Sequence, residues 1–259
     1  MNLEEFFRQH RRVAIAFSGG VDSAYLLYTA KQYAEDVQAY YVNSAFQPVF
    51  ELNDAKKLAD QFGIKLCVIS INILDNEKVI SNPPDRCYHC KQAIFSQIIK
   101  QAASDGFTEL LDGTNASDNS GDRPGMKALK ELQVLSPLRD CGLTKDMIRK
   151  LSREAGLFTW NKASYACLAT RLPGGSKITN QRLEITERAE DFLMRLGFKD
   201  FRVRMLENKA DNPAASPLAK IEITEEQLPL FIEKRQEIVS ELKKDYSKIL
   251  LDLEMRNAE

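Results

Sequence analysis

"VAIAFSGGVDSAYLLYTAKQY", residues 13–33, decides the fold. Five apolar residues run without interruption and stop at Ser18-Gly19-Gly20, and an alanine- and leucine-rich stretch follows. An apolar run with no polar alternation is the pattern of a strand covered on both faces, as in parallel sheets. Two glycines between that run and a helical stretch predict a tight strand–turn–helix passage. The same unit recurs downstream. VQAYYV (37–42) predicts a strand, FELNDAKKLADQFG a helix ending at Gly63, and KLCVISINI (65–73) a further strand. A polar loop is expected over 74–86, then a helix over 88–106 capped by Gly106, a strand at ELLDGT (109–114), a short helix, the apolar run VLSPL, and a capped helix over 144–157. Alternating strands and helices of this kind predict an α/β protein with a doubly wound parallel sheet.

The pattern changes near residue 158. FTWNKASYACLATRLPGGSKITNQ has no period, and structureless stretches this long are commonly functional. Beyond it, a helix over 182–198, strands at FRVRML and AKIEIT, a helix from Glu226 and a last strand at KILLDLE predict a small α+β domain. The expected organisation is therefore a nucleotide-type domain over 1–160, a linking loop over 161–181, and a small α+β domain over 182–259. The net charge of −1 gives no support to nucleic-acid binding. No apolar run reaches membrane-spanning length and the first residues are charged, so a cytoplasmic protein is expected.

Two features carry chemistry. SGGVDS (18–23) sits at the carboxyl end of a strand, where open α/β sheets bind ligands. Gly19 and Gly20 let the backbone approach an oxyanion. The following helix start supplies unpaired N–H groups and the positive dipole end, and Ser18 and Ser23 add hydroxyls. Asp22 is unusual beside an anion; it fits as a helix cap or as a contact to a metal that escorts the phosphate. Neither a Walker lysine motif nor G-x-G-x-x-G is present. The second feature is the cysteine set. Of five cysteines, Cys87 and Cys90 lie three apart beside His89, one of two histidines, and Cys167 lies in the aperiodic stretch. In a reducing compartment, such cysteines point to metal binding or catalysis more than to disulfides. From the residues alone, iron–sulfur ligation, structural zinc with His89, and a redox or sacrificial thiol all remain open. Cys67, inside an apolar strand, and Cys141, before a helix cap, are expected to be structural.

SGGVDS resembles the SGGxDS loop of the PP-loop ATP pyrophosphatases, which implies an adenine nucleotide alpha hydrolase-like domain. DGTNASDNSGDRPG (112–125) resembles their second strand-end. That likeness implies ATP contacts from Ser18, Gly19, Gly20, Asp22, Ser23, Asn43, Ser44, Gly113, Thr114 and Asp118. Asp112 would lie at the sheet's carboxyl edge, and Asp118 and Asp122 near the triphosphate or its Mg²⁺. The wider likeness is to the LarE family, ATP-dependent sulfur transferases of nickel-pincer nucleotide cofactor biosynthesis. It is carried by SGGVDS, NPPDRCYHCK, DGTNASDNSGDRPGMKAL, SPLRDCGLTKDMIR, WNKASYACLATRLPGGSKIT, and RVR followed by AKIEI. The chain ends LDLEMRNAE, without the Gly-rich, Arg-containing tail common in that family.

The resemblance implies that ATP adenylylates a carboxylate of a pyridinium dicarboxylate mononucleotide, which becomes a thiocarboxylate. It implies the family's three-cysteine type, in which Cys87, Cys90 and Cys167 hold a 4Fe-4S cluster that carries sulfide. Thr170, Arg171, Arg202 and Arg204 would bind the anionic substrate, with Glu190 and Glu222 on metal or substrate; Trp160 could stack on a ring. A sulfide source, a downstream nickel insertase and a trimeric or hexameric homo-oligomer are implied as partners. Rival readings are a PP-loop tRNA thiolation enzyme, an ammonia-dependent PP-loop synthetase that would not need the thiols, and a nucleotide sensor that hydrolyses nothing.

Overall fold

A computed structural model of the chain describes residues 1–118, 124–208 and 216–257. Two compact units form: Met1–Val79 with Pro84–Lys162, and Ile80–Pro83 with Ala163–Glu259.

In the first unit, α1 (Leu3–Gln9) leads to β1 (Arg12–Ala16), α2 (Val21–Tyr33), β2 (Asp36–Asn43), α3 (Val49–Phe62) and β3 (Leu66–Ser70). The stretch expected as a polar loop holds a 3₁₀ turn, Ile73–Asp75, and α4 (Glu77–Ile80). Then come α5 (Arg86–Ser104), β4 (Leu110–Leu111), α6 (Pro124–Glu131), α7 (Pro137–Asp140) and α8 (Lys145–Glu154). The strands are parallel in the order β3-β2-β1-β4. The doubly wound reading is visible in the side chains of β1 and β2. Val13, Ile15, Ala39 and Tyr41 enter a core with α1, α2, α3 and α8. Their neighbours Ala14, Tyr40 and Val42 enter a second core with α5 and α6. Every residue of β1 from Val13 to Ile15 is therefore apolar because both faces are covered. Chain progression reverses between β1 and β4, which makes their carboxyl ends the topological switch point where such sheets hold ligands.

Two differences from the sequence expectation have local causes. β4 keeps only two residues because Asp112 turns the backbone: its carboxylate accepts the N–H of Thr114 (3.3 Å) and hydroxyls from Thr114 and Ser136. VLSPL contributes one bridge, Leu135 to Leu111, before α7 starts at Pro137, where proline suits the first helical turn.

The second unit holds a 3₁₀ turn, Leu168–Arg171, then α9 (Asn180–Arg195), β5 (Arg202–Leu206), β6 (Leu218–Glu222), α10 (Leu228–Leu242) and β7 (Lys248–Leu251). Its sheet has the order β5-β6-β7, with β5 antiparallel and β7 parallel to β6. Of the stretch 161–181 expected as a linking loop, residues 163–181 cluster with this unit. Asp122 and most of the loop between β5 and β6 lie outside the described residues.

Candidate active site

The turn after β1 is built for backbone exposure. Gly19 has φ +72°, a left-handed conformation that costs glycine nothing. A Cβ there would meet the Ala55 backbone nitrogen of α3 at 3.0 Å. Gly20 caps α2 without any side-chain hydrogen bond to the first-turn N–H groups, so those donors stay available for an anion. The alternative that Asp22 caps the helix does not hold. Ser18 and Ser23 fold over the turn: their hydroxyls are 3.1 Å apart, and Ser23 Oγ also reaches Gly20 O at 3.2 Å. Gly113, after β4, lies so close that a Cβ would stand 2.9 Å from the Ser23 nitrogen. The two strand-ends expected to share a ligand are thus in direct contact.

Around this turn the charges form pairs. Asp22 accepts Lys145 Nζ at 2.5 Å on one carboxylate oxygen and Asn115 Nδ2 at 3.4 Å on the other. Burial pushes the Asp22 carboxyl above its usual range, and Lys145 only partly reverses that. Lys162 Nζ donates to Gly19 O (3.3 Å) and Asp54 Oδ2 (2.7 Å), clamping the turn to α3. Asp118 Oδ2 accepts Asn115 N at 2.9 Å, so Asp118, Asn115 and Asp22 form one connected edge. Thr114 and Asp112 are buried. Asn43 is exposed at the end of β2, and Ser44 is turned toward Gln47, donating to Oε1 at 2.6 Å.

Lys145, Lys162 and Asn115 escaped the sequence reading. One signal was present for Lys145. It is the first residue of α8, directly after the N-cap Thr144, where a cation opposes the helix dipole. Such a placement needs an anionic neighbour, and Asp22 is it.

Cys87 and Cys90 lie in the first turns of α5, which begins at Arg86, two residues earlier than expected. An i, i+3 pair faces one side of a helix. Cys87 is exposed and Cys90 half-buried; Arg86 Nη2 lies 3.8 Å from Cys87 Sγ. His89 pairs with Asp85 at 3.3 Å. Cys67 and Cys141 are half-buried and pack against the two cores. Among the described residues, no group of three or more His, Cys, Asp or Glu side chains is placed to hold a metal ion.

In the second unit, Cys167 caps the 3₁₀ turn, its carbonyl accepting Thr170 N (2.9 Å) and Thr170 Oγ1 (2.8 Å). Arg171 is buried. It donates to Glu190 through Nε (2.7 Å) and Nη2 (3.2 Å), and to Ala166 O through Nη1 (3.0 Å). Glu190 is wholly buried, and also accepts Val203 N (2.9 Å) and the Tyr165 hydroxyl. Both oxygens of Glu190 are thus taken by protein donors. Burial alone would lower the Arg171 pKa, but Glu190 more than compensates and raises it. Arg202 is buried, donates to Phe201 O and Ser164 O, and lies over the Tyr165 ring. Arg204 is more exposed and donates to Glu222 (2.6 Å) and Thr170 O (2.9 Å). Burial would push Glu222 up, but hydrogen bonds from Arg204 and Lys220 outweigh it and hold it below 4.5. Trp160, in the first unit, lies under the Arg153 guanidinium at 5.0 Å.

A glycine turn with free helix N–H groups, set at the switch point of a parallel sheet and flanked by an acidic edge and two lysines, defines a PP-loop nucleotide-binding enzyme of the α/β class. The asparagine synthase family matches residues 4–116. Uncharacterized protein slr1717 of Synechocystis is 35% identical over 90% of this chain and 84% of its own length. Pyridinium-3,5-bisthiocarboxylic acid mononucleotide synthase of Lactiplantibacillus plantarum is 31% identical over 86% of this chain and 78% of its own length. The tRNA-specific 2-thiouridylase MnmA of Thermotoga petrophila is more distant, 24% identical over 58% of this chain and 54% of its own length. The chain belongs to the family of the pyridinium synthase, the LarE family, and is an ATP-dependent sulfur-transferring enzyme. Among the described residues, no helix is long and apolar enough to cross a membrane.

Proposed function

We propose that the chain uses ATP to adenylylate a carboxylate of a pyridinium dicarboxylate mononucleotide, releasing pyrophosphate, and then converts that carboxylate to a thiocarboxylate. The observation that carries this reading is the open N-terminus of α2 behind Gly19 and Gly20, taken with the likeness to the pyridinium synthase. The first-turn N–H groups, Ser18 and Ser23 bind the pyrophosphate part of ATP. Lys145 and Lys162 supply the positive charge that a Walker lysine would give elsewhere. Asp22 and Asp118 present hard oxygen ligands for Mg²⁺ beside those phosphates. Gly113 and Thr114 close the site from β4, and Asn43 and Ser44 flank the adenosine side.

Cys87, Cys90 and Cys167 hold a 4Fe-4S cluster in this reading. The donor set fits in kind: all three are thiols, two lie on one helix face at a helix start, and three thiolates suit a cubane with one open iron. When bound, the cluster supplies that open position for sulfide. Of the expected substrate-binding residues, Thr170, Arg202 and Arg204 donate to carbonyl or carboxylate oxygens that a substrate carboxylate or phosphate can replace, while Glu222 holds Arg204 and Lys220 in place. Arg171 and Glu190 act as the brace that shapes the Cys167 turn. The homo-oligomer, the sulfide source and the nickel insertase belong to the same proposal.

Anaerobic purification with iron and sulfide analysis, on the wild type and Cys167→Ala, tests the thiol assignment. Iron bound by the wild type and lost in the variant supports it. An iron-free wild type that still transfers sulfur overturns the cluster. Pyrophosphate release that needs no carboxylate substrate overturns the adenylylation.

A further inference from the structure

Lys162 meets the glycine turn from a stretch with no helix or strand of its own. After α8 and Gly156 the chain makes two overlapping turns, closed by Trp160 N to Leu157 O (3.1 Å) and Lys162 N to Thr159 O (2.9 Å). Yet Lys162 Nζ stands on two acceptors at once, Gly19 O (3.3 Å) and Asp54 Oδ2 (2.7 Å), and over the Phe50 ring at 5.2 Å. A lysine ammonium sits on a flexible four-carbon stem, so this placement needs the backbone beneath it to be fixed.

Arg149 of α8 fixes it. Its Nη1 carries two hydrogens and donates to Trp160 O (3.1 Å) and Lys162 O (3.0 Å). A guanidinium is planar and always charged, so it grips two carbonyls in a set geometry. Arg149 follows Lys145 by four residues on α8, a spacing that shares one helix face. Ile148 of the same helix is buried in the core that holds Val21 and Ala24 of α2. One face of α8 therefore serves the glycine turn twice: Lys145 reaches Asp22 directly at 2.5 Å, and Arg149 holds the residue that reaches Gly19. The Arg149 charge also joins Lys145 in opposing the burial that pushes the Asp22 carboxyl up. We propose that Arg149 is a positioning residue for ATP: it holds the Lys162 backbone so that the ammonium stands at the glycine turn, ready for the phosphates. The proposal rests on the ATP reading of that turn given above.

The test measures MgATP binding by calorimetry to the full chain as wild type, Arg149→Met, Lys162→Met and the double variant. Each single variant is expected to weaken MgATP about tenfold, and the double variant about tenfold as well, because two residues that act through one contact do not add. A general disturbance of the fold would instead weaken binding again in the Lys162→Met background, to a loss of about a hundredfold. Arg149→Lys keeps the charge without the fork, and enters the same cycle where the methionine variant does not fold. Alone it is expected to lose about threefold, and beside Lys162→Met nothing further. Losses that multiply in the cycle, or wild-type affinity in both Arg149→Met and Arg149→Lys, overturn the role of Arg149 and leave the ATP reading standing. Unchanged affinity in Lys162→Met overturns the placing of Lys162 at the phosphates, and the proposal with it. A wild type that binds no MgATP overturns the ATP reading itself.

Discussion

The two units treat buried charge in opposite ways. Around the glycine turn, Asp22 and Lys145 meet through one close contact while both remain about a quarter exposed. In the second unit, Arg171 and Glu190 are about 1% exposed and bound bidentately, with Tyr165, Val203 and Ala166 completing their hydrogen bonds. A loosely paired charge can change partners when a phosphate or a cation arrives. A fully satisfied one cannot do so without breaking the fold. The difference separates a site from its scaffold, although both are clusters of opposite charges in sequence.

The largest expected effect tests the scaffold half of that contrast. Glu190→Ala leaves Arg171 charged in the core and is expected to cost about 3–5 kcal/mol, read from urea unfolding; a loss below about 1 kcal/mol would place the pair with ordinary surface bridges. Next, Gly19→Ala forces a left-handed alanine onto the Ala55 backbone. Substrate-dependent pyrophosphate release is expected to fall about 100-fold, equivalent to ~2.7 kcal/mol, and an unchanged rate would show that the turn does not approach the nucleotide. Lys145→Met sharpens the site half. ATP affinity, measured by calorimetry, is expected to fall about tenfold, or ~1.4 kcal/mol, and unchanged affinity would break the claim that the pair re-partners. The smallest effect is a pH dependence. Glu222 is held below its ordinary value of 4.5, so its stabilisation is complete above that pH and is lost as pH falls through the lowered value. The stability gap between wild type and Glu222→Gln should therefore be constant near neutrality and shrink in acid; a gap that widens in acid would reverse the assignment.

What could be read from the chain alone follows the range of the interactions. β1, its turn and α2 were legible because an uninterrupted apolar run, two glycines and a helical stretch are adjacent. The helix that carries Cys90 was legible too, from its apolar periodicity, but its start at Arg86, which brings Cys87 onto it, was not, since no side chain caps it. Lys145 and Lys162 were hidden because they reach the turn from 123 and 143 residues away. Arg171 and Glu190 could be seen as charged but not as a buried pair, because their burial depends on how α9 packs on the Cys167 turn and β5. The crossing of residues 80–83 into the second unit left no periodic trace at all; only Asn before Pro-Pro marked it.

Lys162 is the residue at which the chain quits the first unit, and its ammonium is fastened to the carbonyl of Gly19. An anion that draws that ammonium away releases Gly19 from Asp54 of α3, so the turn's grip on its neighbouring helix weakens at the very residue where the chain departs.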